Sequence, residues 1–366
     1  MKFIHCADLH FDSKLNANLD KESARQRKAE ILHTFTRMVA YAADHGVKAI
    51  LIAGDLFDTK NTSATARNTF LYEITGHPEI NFYYLRGNHD EENFLFREDE
   101  LPKNLKTFGS QWKTYFEEGG KITVSGIEFP AKNEASVYLE LMPDMGKFNI
   151  VMLHGQEGVG SAKDRTQIIN LRALRNKGID YLALGHVHAY KKEPLDARGT
   201  YCYPGCLEGR GFDECGIHGF VLLDVDEGSG KYTHEFVPFA KRNLYEVAAD
   251  VTGCLTTAQM AVRVEEALGA AGCGKDDLVK IVLRGAVDVA CEKDPSYFPA
   301  RFSPDFYFVK VYDETSLLVE TEDYMRDVSL KGEFVRQVME DPSIPEEDKK
   351  IMIRYGLQAI EGEEVH

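Results

Sequence analysis

No apolar run in this chain is longer than a strand requires, which leaves no candidate for a membrane-spanning helix. Cysteines are few and unpaired by spacing. There are seven, an odd number, with no C-x-x-C pair. Cys202 and Cys206 lie four apart, but no second Cys or His pair at finger-like spacing accompanies them. A disulfide framework and a structural zinc site are both disfavoured, and reduced thiols in a reducing compartment are expected. Met1 leads almost directly into an apolar strand, so no signal peptide is expected and the location expected is cytoplasmic. Internal repeats and low-complexity tracts are lacking. Positive charge is also short: 43 Lys+Arg stand against 59 Asp+Glu, a formal net charge of −16. The acidic excess is concentrated beyond residue 240. Such a chain gains no general electrostatic steering toward nucleic acid, so any such substrate would need local basic groups or a partner to attract it.

What is present is a large apolar fraction, 43% of 366 residues, enough for one sizeable core and a smaller domain. Five short polar motifs each follow a strand-like run. They are Asp8-Leu9-His10, Gly54-Asp55-Leu56-Phe57-Asp58, Gly87-Asn88-His89-Asp90, His154-Gly155 and Gly185-His186-Val187-His188. The runs before them are Lys2 to Cys6, Ala49 to Ala53, Phe82 to Leu85, Ile150 to Leu153 and Tyr181 to Leu184. Strand ends in a layered α/β protein converge on one edge of a sheet, where ligands gather.

The rest of the first part alternates strand and helix. Asp20, Ser63 and Asp164 each suit the cap of a helix; the first runs to about His45, and the third carries Ile168, Leu171 and Leu174 inward. Short strands are expected at Trp112 to Phe116, Lys121 to Val124, Ile127 to Phe129, Thr200 to Tyr203, Gly219 to Val225 and Tyr232 to Val237. Helices outside two strand-rich layers predict a four-layer αββα sandwich. We divide the chain at 1–239, 240–315 and 316–366. The second piece reads as a small β-α-β-β unit, with a helix opened by Thr256 and closed by Gly272. The third reads as an acidic helical tail from about Leu317, with Pro345 opening its last helix.

The motifs suit a pair of divalent metals. Asp8 and His10 alternate on one face of a strand end. Asp55 follows a wholly apolar run, where a carboxylate is costly unless paired or bound to metal. Asn88 offers a neutral oxygen ligand, and His89 beside it is a second ligand or a proton donor. His186 and His188 place two imidazoles together, a fairer ligand pair than any lone histidine. His154 alone is ambiguous. The competing reading is a helix cap or loop turn for Asp55 and a satisfied core residue for a single histidine.

The order and spacing of the five motifs resemble the calcineurin-like metallophosphoesterase superfamily. Within it, the chain looks like the bacterial DNA-repair exonuclease subunits of the SbcD type. Tyr203-Pro204-Gly205-Cys206-Leu207-Glu208-Gly209-Arg210 is similar to that branch's YPGS-x-x-GR segment, with Cys206 in place of the usual Ser. The resemblance implies one metal held by Asp8, His10, Asp55 and His188, another by Asp55, Asn88, His154 and His186, and Asp55 bridging. It points to manganese; the mixed O and N ligands also suit iron or zinc. In-line attack on phosphorus would follow, with His89 free to stabilise the pentacovalent state or protonate the leaving oxygen and Asp58 orienting it, a helix-edge cap being the equal alternative for Asp58. Arg210 is the expected substrate contact. The solvated surface is the better reading for Lys163, Arg165, Lys191, Lys192 and Arg198. Leu85-Arg86-Gly87-Asn88-His89 also resembles protein Ser/Thr phosphatases, but these carry an Arg where this chain has Thr59, so Arg86 reads as structural or as a peripheral phosphate contact. The resemblance further implies DNA as substrate, a capping role for the second domain, an SMC-like coiled-coil ATPase docked on the tail, and a homodimer. A phosphoesterase for small esters or nucleotides, or a non-catalytic scaffold, are the alternatives.

Overall fold

The computed structural model describes every residue except 14, 16–18, 59–61, 91–100, 118, 130–135, 159–167, 289–290, 295, 319–323 and 362–366. Two compact units result, Met1–Leu244 and Tyr245–His366.

The first unit opens with β1 (Lys2–Cys6), α1 (Lys21–Asp44), β2 (Val47–Ala53), α2 (Ala64–Gly76), β3 (Asn81–Leu85) and β4 (Leu105–Thr107). There follow β5 (Lys113–Phe116), β6 (Ile122–Gly126), α3 (Ser136–Leu139), β7 (Phe148–His154), β8 (Gln156–Glu157), β9 (Ile168–Ile169) and α4 (Leu171–Leu174). It ends with β10 (Tyr181–Gly185), β11 (Lys191–Pro194), β12 (Thr200–Tyr203), β13 (Gly219–Val225) and β14 (Tyr232–Pro238). Two six-stranded sheets form among the described residues, in the orders β14-β13-β1-β2-β3-β4 and β11-β12-β10-β7-β6-β5. Their centres are parallel: β1, β2, β3 and β4 in one, β6, β7, β10 and β12 in the other.

Successive side chains of a strand point to opposite faces, and here both faces are apolar. In β2, Ala49, Leu51 and Ala53 enter a core between the sheets, beside Ile150, Met152, Tyr181 and Ala183. Ile50 and Ile52 turn the other way, onto Ile31, Phe35, Met38, Phe70 and Ile74 of α1 and α2. Val151, Leu153, Leu182 and Leu184 form a third core with Tyr138 and Leu174. This is the expected αββα layering. It also explains why the strands read as continuous apolar runs rather than alternating ones.

The caps are local chemistry. Asp20 accepts the amides of Glu22 and Ser23 at 2.9 and 3.0 Å, and Ser63 Oγ accepts that of Ala66 at 3.1 Å. One buried ion pair ties α1 to the loop before β13. Arg27 Nη2 lies 2.5 Å from Glu208 Oε2 and donates to the Gly209 carbonyl at 3.0 Å. The other Glu208 oxygen accepts from Thr34 Oγ1 at 2.6 Å and from the Lys241 amide at 2.5 Å.

Some expectations do not hold. The helix expected through Ile168, Leu171 and Leu174 is only the single turn α4. Asn170 caps it, accepting from Arg172 and Ala173, while Ile168 belongs to β9. Asp164 lies outside the described residues. The apolar i, i+3 spacing is met by a strand followed by a turn, so periodicity alone misled. Ile127 to Phe129 is not a strand; β6 stops at Gly126.

In the second unit, β15 (Leu244–Asp250), β16 (Leu278–Arg284) and β18 (Phe308–Asp313) make a sheet, while β17 (Ala286–Asp288) pairs with β19 (Ser316–Leu318). Helices α5 (Thr257–Ala271) and α6 (Tyr297–Phe302) supply Met260, Val264, Leu268, Phe298 and Phe302 to its core. Thus Leu317 lies in a strand, not at the start of a helical tail, and α6 is an element beyond the expected β-α-β-β pattern. The final helices, α7 (Leu330–Glu340) and α8 (Glu346–Glu361), pack through Val335, Val338, Ile353 and Leu357. No helix among the described residues is long and apolar enough to cross a membrane.

Candidate metal centre

The five motifs sit where β1, β2, β3, β7 and β10 end, on strands from both sheets. Their loops are zipped by backbone bonds: Asp8 N to Gly54 O at 3.1 Å, His10 N to Asp55 O at 3.0 Å and Phe11 N to Leu56 O at 2.9 Å. Asp8, His10, Asp12, Asp55 and His186 all have positive φ, between 44° and 97°. A non-glycine residue there costs on the order of 1–3 kcal/mol and persists only where its surroundings over-determine it. Glycine is needed where backbones close in. A Cβ on Gly87 would lie 2.1 Å from Asp55 Oδ1, and one on Gly54 (φ +95°) would lie 2.1 Å from His154 Nδ1. Asp90, unread as a site residue, joins two loops: its carboxylate accepts the amides of Leu56, Phe57 and Gly87 at 3.2, 2.9 and 2.9 Å.

Two constellations result. In one, His10 Nε2 faces His188 Nε2 at 3.2 Å, and His188 Nε2 lies 3.8 Å from Asp8 Oδ1. In the other, Asn88 Oδ1 is 3.1 Å from His154 Nε2 and 3.2 Å from His186 Nδ1. Asp55 belongs to both. Its Oδ2 lies 3.8 Å from His10 Nε2 and 3.3 Å from His154 Nε2, while its Oδ1 accepts the His89 amide at 2.9 Å. The structure therefore brings all seven expected ligands, Asp8, His10, Asp55, Asn88, His154, His186 and His188, into one cluster.

The donor set asks for positive charge. His154 Nδ1 lies 2.9 Å from the Ala53 carbonyl, which can only accept, so Nδ1 carries its proton there and Nε2 turns toward Asp55 and Asn88. Carboxylate, amide and imidazole lone pairs converge with few protein donors among them, which suits two divalent ions. Without an ion, protons meet part of that demand. Burial, with the charge of Asp55 adding to it, pushes Asp8 up to about 7 against the pull of His154. Burial opposes the charge on Asp55, but His154 outweighs it and holds that carboxyl below the usual range. Burial likewise opposes charge on His154, yet Asp55 lifts it to about 9. Burial and then His154 drive His186 down to about 4.

His89 stands beside the cluster with its ring 45% exposed, Nδ1 2.8 Å from Asp58 Oδ1. The same oxygen is 3.3 Å from His10 Nδ1. Arg210 is mostly enclosed. Its Nη2 donates to Glu214 Oε1 at 2.6 Å and its Nη1 to Ser13 Oγ at 3.3 Å, 3.7 Å from Asp58 Oδ2. Arg86 is held by Glu128 at 2.9 and 2.5 Å, a structural pairing. Among the flanking basic residues, Arg198 pairs with Asp180 at 2.8 Å and Lys191 with Glu157. Lys163, Arg165 and Thr59 lie outside the described residues. Glu214 was missed by sequence reasoning, although it contacts His188.

The calcineurin-like phosphoesterase family model matches residues 1–190, a span that holds all seven ligand positions, Asp58 and His89. The chain is 31% identical over 301 residues to YhaO of Bacillus subtilis, an uncharacterized metallophosphoesterase; the alignment covers 78% of this chain and 72% of that one. It is 26% identical over 265 residues to the DNA double-strand break repair protein Mre11 of Methanopyrus kandleri, covering 65% of this chain and 56% of the relative. With Mre11 of Sulfolobus acidocaldarius the identity is 27% over 206 residues, covering 54% and 52%. The alignments thus span little more than half the length of these two archaeal relatives.

Proposed function

The chain belongs to the calcineurin-like phosphoesterase family, and from that premise we propose that it is a two-metal phosphodiesterase that cleaves DNA. The observation that carries the reading is the placement of Asp55, whose carboxylate lies between the His10/His188 and the His154/Asn88/His186 sets. Asp8, His10, Asp55 and His188 would hold one ion; Asp55, Asn88, His154 and His186 would hold the other. When bound, such ions supply Lewis acidity to phosphoryl oxygens and lower the pKa of water. The mixed O and N donors suit manganese, with iron or zinc as alternatives.

The chain's own residues supply the rest. His89, exposed beside the cluster, donates a proton from Nε2 to the leaving oxygen, worth about 100- to 10,000-fold. Asp58 fixes which nitrogen faces outward by accepting from Nδ1. DNA as substrate is supported by the Mre11 relatives and by the segment Tyr203 to Arg210. The net charge of −16 favours a division of labour in which a partner brings affinity for the polyanion. We assign that role to an SMC-like coiled-coil ATPase docked on the C-terminal helices, and a capping role to the small sheet of the second unit.

The test is nucleotide release from linear duplex DNA in manganese, beside hydrolysis of bis-p-nitrophenyl phosphate. Both activities are expected. Hydrolysis of the small ester with none of DNA, even with an SMC-like ATPase added, overturns the DNA reading and leaves a small-ester phosphodiesterase. Metal binding with neither activity leaves a scaffold.

A further inference from the structure

His188 Nδ1, Cys206 Sγ and Glu214 form another group dense enough to invite an ion. Its contacts argue otherwise. Arg210 Nη2 already lies 2.6 Å from Glu214 Oε1, and a guanidinium at that distance repels a cation. Cys206 Sγ lies 3.3 Å from His218 Nδ1. His218 Nε2 lies 2.7 Å from the Glu214 carbonyl and must donate to it, so the thiol donates to Nδ1 and the group is internally satisfied.

We infer that Glu214, locked in place by Arg210, is a positioning residue that sets the ring of His188 for metal binding. The inference rests on the two-metal reading above. Glu214 Oε1 lies 2.6 Å from His188 Nδ1. A carboxylate only accepts, so Nδ1 must carry the proton and Nε2 is left as the lone pair facing His10 and Asp8. Arg210 Nη2 also lies 3.2 Å from that Nδ1, a contact that would require the opposite tautomer. The shorter, charge-assisted bond to Glu214 decides between them. Arg210 serves the arrangement through its backbone amide, which donates to Glu214 Oε2 at 2.7 Å, and through its side chain, which fills the carboxylate's remaining direction. The same guanidinium reaches toward Asp58, so one ion pair braces both a metal ligand and the orienter of His89. Outer carboxylates of this kind are worth about 10- to 100-fold in metal affinity.

The experiment compares wild type, Glu214→Ala and Glu214→Gln by manganese titration calorimetry and by long-range proton–nitrogen NMR of the histidine rings in alkaline, metal-free solution. Circular dichroism checks that each variant is folded. Wild type should bind two ions and show His188 protonated on Nδ1. Glu214→Ala should weaken one ion by about 10- to 100-fold, spare the other, and shift the His188 signals toward the Nε2–H tautomer. Glu214→Gln, which still offers an acceptor, should recover most of the affinity. Two ions bound by Glu214→Ala with unchanged affinities, or an unchanged His188 tautomer, would overturn the inference. If wild type itself binds no ion, the two-metal reading fails instead. Should Glu214→Ala not fold, Glu214→Gln and Arg210→Met decide the matter. Arg210→Met should weaken the same single ion, and equal affinities in both variants and wild type would overturn the inference.

Discussion

The two units of this chain both put helices against parallel strands, yet they turn the chain at strand ends in different ways. Among the described residues of the second unit, only glycines take positive φ: Gly253, Gly272 and Gly285. In the first unit Asn176 does so in a turn after α4, and Asp8, His10, Asp12, Asp55 and His186 do so in the loops past β1, β2 and β10. Glycine adopts that conformation without penalty, whereas these five residues do not. The first unit therefore carries backbone strain where ionisable side chains must meet, and the second carries little. All the clusters able to hold a metal among the described residues also lie in the first unit. Strain and chemistry coincide, as expected where a loop is shaped for its side chain rather than for its own comfort.

Substitutions can break or sharpen that contrast. The largest effect should come from Asp55→Ala, which removes the carboxylate common to both constellations. Elemental analysis should find metal lost at both positions, and kcat/KM on bis-p-nitrophenyl phosphate should fall roughly a thousandfold or more, about 4 kcal/mol. His89→Ala should keep both ions and lose about 100- to 10,000-fold in kcat. A variant that loses metal as well would place His89 among the ligands.

A glycine pair tests the contrast directly. Gly87→Ala drives a Cβ into Asp55 Oδ1 and should weaken manganese by about 10- to 100-fold in calorimetry. Gly272→Ala, at φ +69° in open space, should cost only about 1 kcal/mol in denaturant unfolding and leave metal binding untouched.

The smallest effect is in pH dependence. Burial, and then the charge of His234, hold His5 down to about 3. An unfolded chain takes up that proton near pH 6.5. The stability His5 contributes is therefore complete above about pH 6.5 and drains away toward pH 3, by at most about 1.4 kcal/mol per unit. The second unit's only histidine is His366. Calorimetric scans from pH 7 to 5 should lower the melting of the first unit more than the second, and His5→Leu should blunt the difference.

Much of this was legible in advance, for a physical reason. Strands buried on both faces leave unbroken apolar runs, and Asp20, Ser63 and Thr256 cap their helices through a few neighbouring amides. Both signals are local. The motifs after Cys6, Ala53, Leu85, Leu153 and Leu184 stood out together, because five strand ends carrying carboxylates, an amide and imidazoles exceed what ordinary polar turns require. Glu214 gave no such sign: it sits in Gly211-Phe212-Asp213-Glu214-Cys215, a turn with no apolar strand before it, and its partners are assembled by folding. Asp90 was visible as part of a motif, but its three amide partners depend on two loops meeting. Leu171 and Leu174 show the converse failure, since a spacing that suits a long helix also suits one turn.

The buried bond between Arg27 and Glu208 has a consequence for descent. Deleting Arg27 strands the Glu208 carboxylate away from water, at about 3–5 kcal/mol, while deleting Glu208 leaves Arg27 only its longer contact with Glu30 at 3.3 Å; replacing both with apolar groups also orphans the Thr34 hydroxyl and the Lys241 amide. Single steps away from the pair are thus closed to drift, and a double step opens only when Thr34 is exchanged as well. In relatives that keep α1, these two positions, 181 apart in the chain, should be inherited or exchanged as one character.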